Sequence, residues 1–154
     1  MRKEFKGRTI LAGNLKGEAA VTRQGFNTLA SFQKDLMAKK EVVSCHDQGN
    51  QDLYGVAVTD KVLCLPTTIG STTGGMVLQA AASLGKAPSA LLFSESIDSL
   101  AAAGVVLAKV WNEKQITTVD RLGREFLEFA ATGDSIEIRD DGTVIVEKKE
   151  RENE

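Results

Sequence analysis

The chain has 154 residues, of which 42% are hydrophobic and 26% charged, with a formal net charge of −2. That balance describes one globular domain large enough to bury a core without disulfide or metal staples. It excludes a nucleic-acid footprint of clustered Lys and Arg, and no apolar run approaches the roughly 20 residues of a membrane span.

The start, Met1-Arg2-Lys3-Glu4-Phe5-Lys6, is charged and leads into no apolar signal core. It reads as a flexible, cytoplasmic segment over residues 1–6, ahead of a domain expected over 7–147. Thr9-Ile10-Leu11-Ala12 and Glu18-Ala19-Ala20-Val21-Thr22 read as short strands, separated by turn chemistry over Gly13-Asn14-Leu15-Lys16-Gly17. Residues 27–40 predict a helix capped by Asn27, with Leu29, Phe32, Leu36 and Met37 on one face. Val42–Cys45 is a candidate strand, and His46–Asp52 a polar loop. Lys61-Val62-Leu63-Cys64-Leu65, stopped by Pro66, reads as a strand buried on both faces. A loop rich in Gly, Ser and Thr follows to Gly75. Then comes a helix over 76–84 with Met76, Val77, Ala80 and Leu84 sharing a side.

Ala90–Phe93 is a second buried strand, after which Ser96 or Asp98 is placed to cap a helix through Leu100–Ala103. Gly104–Trp111 fits either a strand or a second helix. Ile116–Val119 reads as a strand. Asp120 is placed to cap a helix that turns Leu122, Phe126, Leu127 and Phe129 inward and stops at Gly133. Ser135–Arg139 alternates with period two, Asp140-Asp141-Gly142 is a hairpin turn, and Thr143–Val146 returns. The charged tail, 148–154, is predicted to be disordered. The whole suits an α/β domain of layered β/β/α type.

Cys45 and Cys64 have no CxxC partners, and with one histidine they cannot complete a structural zinc site. No metal ligands are therefore assigned to this chain. The segment with the most chemistry is Pro66–Gly75: a buried strand ends, hydroxyls and glycines follow, and a helix starts. Backbone N–H groups at such a helix start face an anion, and glycines admit close approach of a ligand. The plain alternative is that these residues only cap the helix. A P-loop pattern is absent, as is the GxSxG elbow of a hydrolase. His46 and Asp47 are solvated loop residues or titrating groups that reach the site. Trp111 and Tyr54 are anchors for packing or subunit contact. Arg8 pairs with a surface acid, a partner subunit or a substrate carboxylate.

An ordered set of segments carries a resemblance. It runs through Gly7-Arg8 to Gly13, Gly17-Glu18-Ala19, Ser31-Phe32, Lys61–Leu63 with Leu65-Pro66, Gly70-Ser71-Thr72-Thr73-Gly74, Ala87-Pro88-Ser89-Ala90 and Asp134–Ile138 with Asp141–Val144. Together they resemble the small, swivelling domain of aconitase X. The resemblance implies a swivelling β/β/α domain that closes over a larger subunit, and an iron–sulfur cluster held by that subunit through cysteines. It also implies a loop serine acting as the base that takes a proton from carbon. That serine is Ser71, with Gly70, Thr72, Thr73, Gly74 and Ser31 as substrate-binding candidates.

The family includes dehydratases of cis-3-hydroxy-L-proline, giving 1-pyrroline-2-carboxylate, and of phosphomevalonate. Residues 68–76 with 27–32 look more similar to the hydroxyproline branch. Two stretches depart from the family pattern: Ser31-Phe32 is followed by Gln33–Lys40 without Asp-Pro, and Gln51–Tyr54 stands where many members have His-Pro. The substrate expected is a small hydroxy acid or hydroxyproline, and the partner a large aconitase X subunit. A non-catalytic interaction domain of the same fold is the remaining alternative.

Overall fold

Apolar runs that tolerate water on neither side set the centre of the fold. The computed structural model describes residues 1–70 and 73–149. In chain order these form β1 (Arg2–Lys6), β2 (Arg8–Leu11), β3 (Leu15–Val21), β4 (Phe26–Asn27), α1 (Thr28–Met37), β5 (Val62–Leu65), β6 (Thr68–Ile69), α2 (Gly74–Ser83), β7 (Ala90–Phe93), α3 (Ser99–Asn112), β8 (Thr117–Asp120), α4 (Arg124–Phe129), β9 (Ser135–Ile138) and β10 (Thr143–Glu147). The sheet order is β1-β10-β9-β3-β5-β7-β8-β2, and β4 pairs separately with β6. The strands β3, β5, β7 and β8 run parallel to one another. The predicted buried strands at 62–65 and 90–93 are β5 and β7, with every residue buried.

Strand alternation divides the interior into two cores. Ala20, Leu63, Leu65, Leu91 and Phe93 face Phe32, Leu78, Ala81, Ala82, Ala101 and Val105 of α1, α2 and α3. Their sequence neighbours Val21, Val62, Cys64, Ala90 and Leu92 face Phe5, Ile136, Ile138, Val144 and Val146, with Phe126 and Leu127 of α4. Helices thus cover one side of the parallel strands and an antiparallel layer covers the other, a β/β/α sandwich. Each fully buried large apolar side chain in these cores contributes about 1.5–3 kcal/mol.

β3 joins the two sheet layers. Its first half pairs antiparallel with β9, from Leu15 opposite Ile138 to Glu18 opposite Ser135. Its second half pairs parallel with β5, from Ala19 opposite Val62 to Val21 opposite Cys64. β1 and β2 are separated only by Gly7 yet lie at opposite ends of the sheet order. The sheet is therefore folded back on itself.

Several sequence expectations are corrected. Residues 2–6, predicted to be flexible, form β1, paired with β10 from Arg2 opposite Glu147 to Lys6 opposite Thr143. Phe5 supplies the reason, since it is buried with its ring 5.4 Å from that of Phe126. Val42–Cys45 makes only one bridge, Ser44 to Ala57. Met37 is exposed, and the buried face of α1 is Thr28, Ser31, Phe32 and Asp35. Gly104–Trp111 is the continuation of α3.

α2 turns Gly74, Gly75, Leu78, Ala81 and Ala82 inward and leaves Met76 exposed, as is Leu84 at its C-cap. The cause is a close helix crossing: a Cβ on Gly75 would lie 2.7 Å from the Leu100 carbonyl oxygen, and one on Gly104 would lie 2.9 Å from that of Gly75. Only the small-residue side of α2 can face α3.

Asp120 is a strand residue rather than a helix cap; Gly123 precedes α4. It is fully buried because Arg8 stands opposite it on β2, donating from Nε at 2.9 Å and Nη2 at 2.6 Å. The Ile97 N–H also donates to it at 2.7 Å. In the tail, Asp134 accepts from Lys148 Nζ at 2.6 Å and the Lys149 N–H at 3.0 Å, so these two residues are held. The rest of the segment predicted to be disordered, 150–154, lies outside the described residues.

Burial opposes the charged forms of Asp120 and Asp134. The hydrogen bonds from Arg8 and Ile97, and from Lys148, Lys149 and Ala131, outweigh it and hold both carboxyls below the usual range. Their folded pKa values lie below the unfolded value of about 4. The stabilisation is therefore complete above about pH 4 and is lost as pH falls through the folded values. The melting temperature should fall as pH drops below about 4, as thermal unfolding by circular dichroism would record; a constant value on acidification would contradict the assignment.

Candidate active site

β5 ends at Pro66, which has no N–H to continue the ladder. The chain then turns toward the helical layer. The Phe26 N–H donates to the Thr67 carbonyl at 2.9 Å, and β6 lies parallel to β4, with Thr68 opposite Phe26 and Ile69 opposite Asn27. This delivers the next residues to the amino end of α1. Gly70 is exposed with φ of +106°, and a Cβ there would sit 2.9 Å from the side-chain atoms of Asn27. That Asn27 amide is engaged, its Oδ1 accepting the Ala30 N–H at 3.0 Å as the predicted cap of α1. Both backbone geometry and space therefore require glycine at position 70.

Ser71 and Thr72 lie outside the described residues. Thr73 stands exposed at the N-cap position of α2, and Gly74 opens the helix, buried against Thr28 in the first turn of α1. α2 begins two residues before its predicted start, inside the Gly-Ser-Thr-Thr-Gly block. The amino ends of α1 and α2 thus meet beyond the carboxyl ends of the parallel strands, the place where open α/β sheets bind ligands. The first N–H groups of α2 have no partner within the helix, and the helix dipole adds positive potential there.

Asp98 borders the same loop. It caps α3 through the Ala101 N–H at 3.0 Å, as one of the two expected caps. It also accepts from the Thr68 N–H at 2.9 Å, the Thr68 hydroxyl at 2.6 Å and the Thr67 hydroxyl at 3.3 Å. Burial opposes its charge, but the Thr68 and Ala101 donors outweigh burial and hold the carboxyl below the usual range. Sequence reasoning identified the cap and missed the loop contacts, which cross 30 residues.

The structure brings Gly70, Thr73 and Gly74 to the amino end of α1, where Gly74 lies against Thr28, one helical turn before Ser31. Ser31 is fully buried in α1, where its hydroxyl accepts from the Cys45 thiol at 3.4 Å. Its backbone carbonyl accepts the His46 N–H at 3.2 Å. The His46 Nε2 lies 2.8 Å from Asp35, whose other oxygen accepts the Ser44 N–H. Burial opposes the Asp35 charge, and Ser44 and His46 together overcome it and lower its pKa. Asp47 accepts the Gly49 N–H in a turn. Trp111 is 69% exposed and Tyr54 53% exposed, so neither is an interior packing residue.

Cys45 and Cys64 are buried in different cores, and burial pushes the Cys64 thiol up. Among the described residues no group of three or more His, Cys, Asp or Glu side chains could hold a metal ion. These residues do not fit an iron–sulfur cluster. No helix among them is long and apolar enough to cross a membrane.

Comparison with known proteins gives one consistent result. A family model described as the aconitase X swivel domain matches residues 4–146. The chain is 28% identical over 138 residues to the phosphomevalonate dehydratase small subunit of Archaeoglobus fulgidus, covering 90% of this chain and 93% of that one. It is 30% identical over 133 residues to the phosphomevalonate dehydratase small subunit of Methanosarcina mazei, covering 86% and 83%. Among solved structures, the holo-form of Thermococcus kodakaraensis aconitase X superposes with a TM-score of 0.78 at 26% identity, covering 95% of this chain and 99% of that one.

Proposed function

Because the chain belongs to the aconitase X swivel-domain family, we propose that it is the small subunit of a heteromeric dehydratase and supplies the base for water elimination from a hydroxy acid. What supports this reading is the placement of Gly70, Thr73 and Gly74 at the amino end of α2, in a chain matched by the family model from residue 4 to 146.

Under this reading the chain's own residues bind and deprotonate. The N–H groups at the start of α2 and the backbone of Gly70 hold the substrate carboxylate. Ser71 then removes the proton from the adjacent carbon. A serine alkoxide is costly near neutral pH and needs the positive helix end and main-chain donors to form. The large subunit covers the loop. The iron–sulfur cluster that the family implies belongs to that subunit under this reading, since the described residues here offer no ligand set for it. The isolated small chain is accordingly expected to purify without iron and to show no turnover; iron analysis and an activity assay check both, and iron bound by this chain alone would count against the division of labour.

The named relatives favour phosphomevalonate over the hydroxyproline suggested by residues 68–76. One observation keeps the second substrate in view. Pro66 to Gly70, Thr73 to Met76, Asn27 and Asp98 include no Lys or Arg, the groups that usually hold a phosphate. Supplying phosphomevalonate and cis-3-hydroxy-L-proline separately to one preparation of the two-subunit complex, and following product by NMR, decides between them. Turnover of neither by an iron-loaded complex would return the non-catalytic alternative.

A further inference from the structure

Resting on the dehydratase reading above, we propose that a cleft at the carboxyl ends of β3, β5 and β7 binds the phosphate of a phosphorylated hydroxy acid through Arg23, Arg124 and the Ser94 hydroxyl. Pro66 directly follows β5, Ser94 directly follows β7, and Arg23 stands two residues beyond β3. With Arg124 they line a cleft of about 250 Å³. The carboxyl ends of parallel strands are where open α/β sheets take their ligands. Pro66 also begins the stretch that leads to Gly70, so the cleft adjoins the candidate active site. Its volume is below the roughly 300–1,000 Å³ of a pocket that encloses a whole ligand. It suits one end of a substrate whose reacting carbons lie outside it.

The side chains point to an oxyanion. Arg23 is held in place, its Nη2 donating to the Glu128 and Ala130 carbonyls, each at 3.1 Å. Its other guanidinium N–H groups have no partner among the described residues. Ser94 is only 4% exposed, yet its hydroxyl bonds none of the described residues. The one sealed side-chain polar atom without a partner among those residues is Asn50 Nδ2, so the Ser94 hydroxyl keeps an opening, and Ser94 lines the cleft. Buried polar groups rarely go unpaired, and a guanidinium fork with free N–H groups matches the oxygens of a phosphate. Glu95 and Glu128 line the cleft as well. No ion pair among the described residues engages either of them, Arg23 or Arg124. Both arginine charges are therefore uncommitted. The cations absent from Pro66 to Gly70 stand beside Pro66 instead.

Arg124→Gln and Ser94→Ala each remove one contact to the ligand and no side-chain bond within the chain, so both should melt at the wild-type temperature. In the reconstituted two-subunit enzyme each is expected to raise KM for phosphomevalonate by about 10- to 100-fold, the value of a hydrogen bond to a charged group, with kcat unchanged. An unchanged KM in both variants would overturn the proposal. If the wild-type complex does not dehydrate phosphomevalonate, the substrate reading fails on its own, and inorganic phosphate added to the full-length small chain decides the cleft. NMR signals of the Arg23 and Ser94 N–H groups should then shift in the wild type and stay still in both variants. No shift in the wild type, or the same shift in both variants, would overturn the site.

Discussion

Ser71→Ala should reduce kcat of the assembled dehydratase by about 10²- to 10⁴-fold, the usual contribution of a positioned general base. KM should change little, since under the proposed mechanism the carboxylate is held by main-chain donors at Gly70 and the start of α2 rather than by the serine. The melting temperature should stay at the wild-type value, since the flanking residues Gly70 and Thr73 are exposed and a surface substitution beside them removes no core contact. That combination separates loss of a base from loss of a fold. Steady-state kinetics alongside thermal unfolding would test it, and a fully active Ser71→Ala enzyme would remove the base assignment while leaving the family and the fold in place.

Gly75→Ala should destabilise the chain even though alanine is the better helix former by about 1 kcal/mol. The new methyl would lie 2.7 Å from the Leu100 carbonyl oxygen and 3.5 Å from the Gly104 nitrogen, both backbone atoms that cannot rotate away. Relief requires α2 and α3 to move apart, and overpacking of this kind costs about 1–3 kcal/mol. For a chain of this size that is a fall in melting temperature of about 2–4 °C per kcal/mol. The helices that separate are the ones that flank the proposed active-site loop, so turnover should fall as well. Gly85→Ala offers a matched comparison, since a Cβ there meets nothing within 4 Å and only its φ of +72° resists the change. If Gly75→Ala melts at or above the wild-type temperature, the tight crossing does not constrain the helices.

Much of the architecture was legible because its signals are local. The apolar runs at 62–65 and 90–93 became the strands buried on both faces. Asn27 and Asp98 capped the helices they precede, through bonds to the third residue beyond each. The Asp140-Asp141-Gly142 turn joined β9 to β10. The candidate site was legible in the same way, as a glycine–hydroxyl block between a buried strand and a helix. Errors arose where a local rule met a distant partner. Asp120 has the chemistry of a cap, but Arg8, 112 positions away, makes it a buried strand residue. The charged start reads as frayed until Phe5 finds Phe126 and β1 finds β10.

The sequence by itself determined the layered class, most of the elements and the block that opens α2, because periodicity, caps and turns act over a few neighbouring residues. Only the tertiary structure decided that β3 changes partners between Glu18 and Ala19, that α2 faces inward through glycine and alanine, that Ser31 is buried against Cys45, and that Asp98 reaches Thr68. Each of those depends on pairs of groups far apart in the chain that meet only after the layers have closed, when the space left between backbones and the donors left without partners select among arrangements that local preference leaves equal.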